Sequence, residues 1–133
     1  MALTLNMHKR ERRKILAVVD DLLFTVKIND AAKRAGLNVE FVKSEKDVID
    51  KVNQERPLLI ILDLNNTSVE PLALISKLKG DGDLKQISLI GYLSHVQGEL
   101  KQKAQEAGAN IVMARSAFSQ NLQQILKRHA GVV

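Results

Sequence analysis

Two unbroken apolar runs, Ile15-Leu16-Ala17-Val18-Val19 and Leu58-Leu59-Ile60-Ile61-Leu62, each lead straight into aspartate: Asp20-Asp21 after the first and Asp63 after the second. An apolar run without alternation leaves a strand no polar face, so it must be covered on both sides, as inner strands of a parallel sheet are. If the two runs are parallel neighbours, three carboxylates meet at one end of one sheet. Such a cluster repels itself and costs stability unless a cation or a basic side chain neutralises it.

The residues between and after these runs alternate strand and helix. From Leu22 to Ala35 apolar residues recur at helical spacing in Leu23, Val26, Ala31 and Ala35, and Gly36 supplies the left-handed residue on which a helix stops. Leu37 to Val42 reads as a second strand, Ser44 with Asp47 resembles a capping box, and Val48, Ile49 and Val52 form the apolar face of a second helix. Pro57 permits a strand start at Leu58, and Pro71 starts a helix carrying Leu72, Leu74, Ile75 and Leu78. After the turn Gly80-Asp81-Gly82-Asp83 come a fourth strand at Ile87–Leu93, a helix from Gln97 to Ala107 closed by Gly108, a fifth strand at Asn110–Ala114 and a last helix over Ala117–Arg128. Five strand-helix alternations require right-handed crossovers and a parallel sheet with helices on both faces. The expected fold is one α/β domain over residues 14–130: a doubly wound, flavodoxin-like (βα)5 sheet of five parallel strands in the order 2-1-3-4-5, preceded by a basic tail over residues 1–13.

Composition narrows the function classes. The chain has 133 residues, 45% hydrophobic and 26% charged, which suits one folded domain with a real core rather than a disordered chain. With no cysteine, disulfides, thiolate metal sites and cysteine nucleophiles are excluded. No run approaches membrane-spanning length and the start lacks a signal peptide's apolar stretch, so a cytoplasmic location without membrane contact is expected. The formal net charge is +5, but +4 of it lies in His8-Lys9-Arg10-Glu11-Arg12-Arg13-Lys14. The remainder is nearly neutral and no stacking aromatics accompany the leader, so nucleic acid is not the expected partner.

In a doubly wound sheet, ligands sit beyond the carboxyl ends of the strands, where the strand order reverses. That edge should carry Asp20, Asp21 and Asp63, with Ser94-His95 ending the fourth strand and Arg115-Ser116 the fifth. Acid, hydroxyl and cation converging on one pocket is a constellation suited to phosphoryl chemistry. These residues resemble the receiver domain of bacterial two-component response regulators over nearly all of residues 14–128: Val18-Val19-Asp20-Asp21 is similar to the acidic pair, Asp63 to the phospho-accepting aspartate, Asn65 to the position whose backbone carbonyl completes a magnesium site, Ser94 to the family's hydroxyl, and Gln105-Glu106-Ala107-Gly108-Ala109 to the Ala-Gly-Ala turn.

The resemblance implies an Mg2+ cofactor held by Asp21 directly, by Asp20 through water, and by Asp63 and the Asn65 carbonyl. It implies Asp63 as nucleophile toward a phosphohistidine, with Ser94 and Arg115 beside the phosphate. The only chemistry expected is self-phosphorylation and autodephosphorylation. The implied partners are a sensor histidine kinase or phosphotransfer protein and a downstream protein, with a homodimer through the last two strand-helix units a further expectation. The sequence departs from the family where its lysine and following proline stand: here they are Arg115 and Ser116. A guanidinium fork suits a carboxylate bidentately, which predicts an Arg115 clamp on Asp63. The loop after Asp63 reads Asn66-Thr67-Ser68-Val69-Glu70-Pro71, without the family's Met-Pro and Asp-Gly, and Val112 holds the aromatic switch position. A phosphorylation-independent pseudo-receiver is therefore the alternative, and a small-molecule-binding flavodoxin-like protein a remoter one, since no glycine-rich phosphate cradle is present. The plain readings stand beside these: Asp20 as a helix cap with Asp21 in the first turn, Ser94 as a cap, and His95 as a solvated loop residue.

Overall fold

The computed structural model describes residues 14–94 and 98–130. The basic tail over 1–13, His95 and the helix start expected at Gln97 lie outside the described residues. Strand and helix alternate as β1 (Lys14–Val18), α1 (Leu22–Arg34), β2 (Asn38–Phe41), α2 (Glu45–Glu55), β3 (Leu59–Asp63), α3 (Pro71–Gly80), β4 (Ser88–Leu93), α4 (Gly98–Ala107), β5 (Ile111–Ala114) and α5 (Arg115–His129). All neighbouring strands are parallel, in the order β2-β1-β3-β4-β5. The flavodoxin-like order expected from the alternation is the order observed.

Strand alternation divides the core into two layers. Leu16, Val18, Ile60, Leu62, Leu89 and Leu93 face α2, α3 and α4, burying Val48, Val52, Leu74, Ile75, Leu78 and Ala104. Ile15, Ala17, Leu59, Ile61, Ile90 and Tyr92 face α1 and α5, burying Phe24, Ile28, Ala32, Phe118, Leu122 and Leu126. β1 and β3 are central and covered on both faces, which is why neither can spare a polar residue before its terminal aspartate.

Helix α1 is rotated relative to the expected stripe. Its buried face is Phe24, Ile28, Ala31, Ala32 and Ala35, while Leu22, Leu23 and Val26 are 78%, 59% and 51% exposed. Both stripes have helical spacing, and the one carrying the large aromatic ring wins because burying Phe24 removes more apolar surface than burying Val26. Helix α5 begins at Arg115, two residues before the expected Ala117, because Arg115-Ser116 carries no proline to fix the junction and Ala114 is already the N-cap. Gly36 ends α1 with φ 72, and the amides of Gly36 and Leu37 return to Lys33 O and Ala32 O at 3.1 and 2.8 Å.

Opposite the acid edge, Lys79 Nζ donates to Lys85 O, Ile87 O and Asn110 Oδ1 at 3.0, 2.6 and 2.7 Å, tying α3 to the starts of β4 and β5. Gly108 passes over this lysine with φ +119, and a Cβ there would stand 2.8 Å from Lys79 Cβ. Gly108→Ala combines a disfavoured backbone with that clash and should cost about 1–3 kcal/mol in a urea unfolding titration. A midpoint unchanged from the wild type would contradict this packing.

Candidate functional site

Asp21 is the residue on which β1 hands over to α1. Its backbone is extended (φ −63, ψ 119) and its Oδ1 accepts from Phe24 N at 3.1 Å, so it is the N-cap of α1. The capping role allotted to Asp20 therefore belongs to its neighbour. Asp21 Oδ2 accepts from the Arg115 guanidinium at the first residue of α5. With both oxygens engaged, first by the Phe24 amide and then by Arg115, the Asp21 carboxyl is held below its usual pKa against the opposing effect of burial. Asp20 is exposed, and its Oδ2 accepts from the Ser68 hydroxyl across the edge.

Asp63 ends β3, half-buried, and its Oδ1 accepts from Asn65 N at 2.9 Å. Among the described residues no cation forms an ion pair with it, so the expected Arg115 clamp on Asp63 is instead a pairing with Asp21. The reason lies in where α5 begins: from its first turn the Arg115 fork lies over the Phe24 ring at 4.5 Å from its centroid, on the side where Phe24 N caps Asp21. Burial is the largest influence on Asp63 and pushes its carboxyl above the usual pKa; Asp21 and Asp20 push the same way, while the Asn65 amide and Arg115 pull it down.

That shift has a testable sign. The folded protein holds a proton on Asp63 to higher pH than the unfolded chain, so this contribution is fully present below the usual carboxylate range and is lost as pH rises through the raised value. Asp63→Asn should therefore unfold at higher urea than the wild type at neutral pH, the gap closing below the carboxylate range. A less stable Asp63→Asn protein at neutral pH would contradict it.

The loops behind the aspartates are tied to one another. Asn65 Oδ1 accepts from Ser94 N at 2.7 Å, joining the ends of β3 and β4, while the exposed Ser94 hydroxyl has no partner among the described residues. Asn66 is buried; its Nδ2 donates to Val18 O at 3.2 Å and its Oδ1 accepts from Ser68 N at 2.7 Å. Sequence reasoning missed Asn66 and Ser68, which hold Asp20 and the end of β1 against the loop after Asp63. An Asn followed two residues on by Ser suggests an Asx turn, but nothing local says that its amide reaches Val18.

Tyr92, also missed, lies in β4 directly across from Asp63 in the sheet register. Alternate residues of one strand share a face, so Asp63 projects on the side of Leu59 and Ile61, and Tyr92 on the same side with Ile90. The Tyr92 ring stacks against both Phe24 and Phe118, at centroid distances of 5.1 and 4.8 Å. The signal for it was present: Tyr92 precedes Ser94 by two, which places both on one face.

The donors are hard oxygens at one sheet edge, the chemistry magnesium takes, and mutual repulsion of three carboxylates would be relieved by a cation. They are not gathered for one as they stand: among the described residues no three His, Cys, Asp or Glu side chains are grouped to hold a metal ion. By donor type Asp20, Asp21, Asp63 and Asn65 fit such an ion, on the condition that Asp21 is released from Arg115.

No protein-family model matches the chain, and no curated protein matches it by sequence. Solved structures do. The phosphorylated cyanobacterial phytochrome response regulator RcpA is similar at TM-score 0.74 and 24% identity, over 88% of this chain and 90% of that one. The Mn2+-bound response regulator Rcp1 follows at 0.72 and 18%, over 87% and 90%. The chemotaxis response regulator CheY4 of Vibrio cholerae is similar at 0.75 and 21%, over 87% and 97%. No helix among the described residues is long and apolar enough to cross a membrane. Five parallel strands in the order 2-1-3-4-5, an acidic carboxyl edge and these likenesses together give the chain the receiver fold of response regulators.

Proposed function

We propose that this chain is a receiver module of two-component signal transduction that accepts a phosphoryl group on Asp63 and signals through protein contacts. The observation that carries the reading is Asp63 itself: it ends a central strand, one oxygen is fixed by the Asn65 amide, and Asp20 and Asp21 follow the adjacent strand. In the step proposed, the free Asp63 oxygen forms a bond to phosphorus while the bond from phosphorus to a partner's histidine nitrogen breaks, leaving an acyl phosphate and a free imidazole. Asn65 orients the attacking carboxylate, and Ser94 stands at the next strand end to donate to the new phosphate. Magnesium, when bound, would neutralise the oxygens in transfer. Asp20, Asp21, Asp63 and the Asn65 carbonyl would hold it; that Rcp1, which shares this fold, is known in a manganese-bound form supports a divalent cation here.

The second reading is a pseudo-receiver adaptor that works without phosphate, and one observation favours it: both oxygens of Asp21 are already engaged, one by Arg115. Incubation with acetyl phosphate and magnesium separates the two. The receiver reading expects the wild type to gain the mass of one phosphoryl group and Asp63→Asn to gain none; no gain in either supports the adaptor.

The exposed Leu22, Leu23 and Val26 lie at the start of α1, beside the Asp21 cap, and form the apolar contact we assign to a helical phosphohistidine donor. Leu23→Glu should slow labelling from such a donor about tenfold while leaving acetyl phosphate labelling unchanged. Equal loss with both donors would contradict the docking role.

A further inference from the structure

The Tyr92 hydroxyl is buried and has no hydrogen-bond partner among the described residues, although the side chain is only 1% exposed. A buried hydroxyl left unpaired is a cost that phenylalanine would avoid. Phenylalanine supplies both other rings of its cluster: Phe24 and Phe118 stand 5.1 and 4.8 Å from Tyr92 and 6.2 Å from each other, so nothing in the packing calls for the extra oxygen. What distinguishes this ring from its neighbours is its place. It is the register partner of Asp63 on the same sheet face, and it stacks on the ring that carries the Arg115 fork and whose amide caps Asp21.

We infer that Tyr92 is a positioning residue of the acid site, whose hydroxyl donates a hydrogen bond to the additional negative charge that Asp63 bears when it is loaded. Burial, with Asp63 next in weight, pushes the Tyr92 pKa up, so the group stays a neutral donor throughout the physiological range. A neutral donor suits a site that already holds three carboxylates and one guanidinium, because it stabilises an added oxyanion without neutralising the resting aspartates or competing with magnesium for them. The hydroxyl is held on a stacked ring, with little freedom to turn elsewhere, so its direction is set before the charge arrives.

This inference rests on the proposed phosphoryl-accepting role of Asp63, and one experiment separates the two: the affinity of the full chain for beryllofluoride with magnesium, followed by amide shifts in the wild type and in Tyr92→Phe. Tyr92→Phe should be at least as resistant to urea as the wild type and should bind beryllofluoride about tenfold more weakly, since a hydrogen bond to a charged group is lost. Wild-type affinity in Tyr92→Phe overturns the inference alone. No binding by the wild type itself overturns the phosphoryl reading of Asp63 and the inference with it.

Discussion

Phe118→Ala should lower the unfolding free energy by about 3–5 kcal/mol, the cost of deleting a fully buried aromatic ring from a site that cannot collapse. Phe118 is 0% exposed and touches the stack from α5, 4.8 Å from the Tyr92 ring and 6.2 Å from Phe24. The rings are held by three separate elements, α1, β4 and α5, so none can move into the space without pulling its own backbone. A domain of this size has a stability of roughly 5–15 kcal/mol, so the loss is a large share of the total and should be plain in a urea titration. The control is Leu23→Ala on the exposed side of α1, which should change stability by no more than about 0.5 kcal/mol although it too removes a large apolar side chain. A loss below about 1 kcal/mol for Phe118→Ala would mean that the stack is not the anchor of this layer.

Arg115→Met should act in opposite directions on stability and on cation binding. The ion pair to Asp21 is about one-third exposed on each side, so solvent screening keeps its worth to roughly 1 kcal/mol or less. Methionine keeps much of the apolar stem over Phe24, which limits the packing loss. For magnesium the guanidinium is a competitor twice over, because it holds an oxygen of Asp21 and sets a positive charge beside the site. Removing both effects should tighten magnesium about tenfold or more, with Arg115→Lys between the two since an ammonium holds a carboxylate less firmly than a fork does. Magnesium titrations followed by amide shifts would read this directly. Equal or weaker affinity in Arg115→Met would show that Arg115 does not guard Asp21.

Much of this fold could be read from residues that determine their own environment. Ile15–Val19 and Leu58–Leu62 have no polar face, so their central, doubly covered positions follow from composition alone, and with them the gathering of Asp20, Asp21 and Asp63 at one edge. Gly36 and Pro71 punctuate helices for backbone reasons that need no tertiary information. The phase of α1 was not legible from spacing, because Leu23-Val26 and Phe24-Ile28 both recur at helical intervals; the larger apolar surface buried where the Phe24 ring meets Tyr92 across the layer chooses between them.

The site divides in the same way. Which residues reach the edge follows from strand ends, whereas which of them pair depends on side-chain reach from different elements. Arg115 meets Asp21 and not Asp63 because α5 starts two residues early and directs the fork over Phe24. The Asn66 bond to Val18 O is likewise a contact between distant segments, invisible to spacing along the chain, whereas the place of Tyr92 beside Asp63 could have been read from its spacing to Ser94.

Whether Asp63 can carry a phosphoryl group once Asp21 is freed from Arg115 is read from a titration of the wild-type chain with beryllofluoride and magnesium, followed by amide chemical shifts. A saturable, magnesium-dependent response is expected at Asp63, Ser94 and Arg115, absent in Asp63→Asn. Unmoved amides at these three positions up to millimolar metal would contradict it and leave the arginine-neutralised adaptor as the reading of the site.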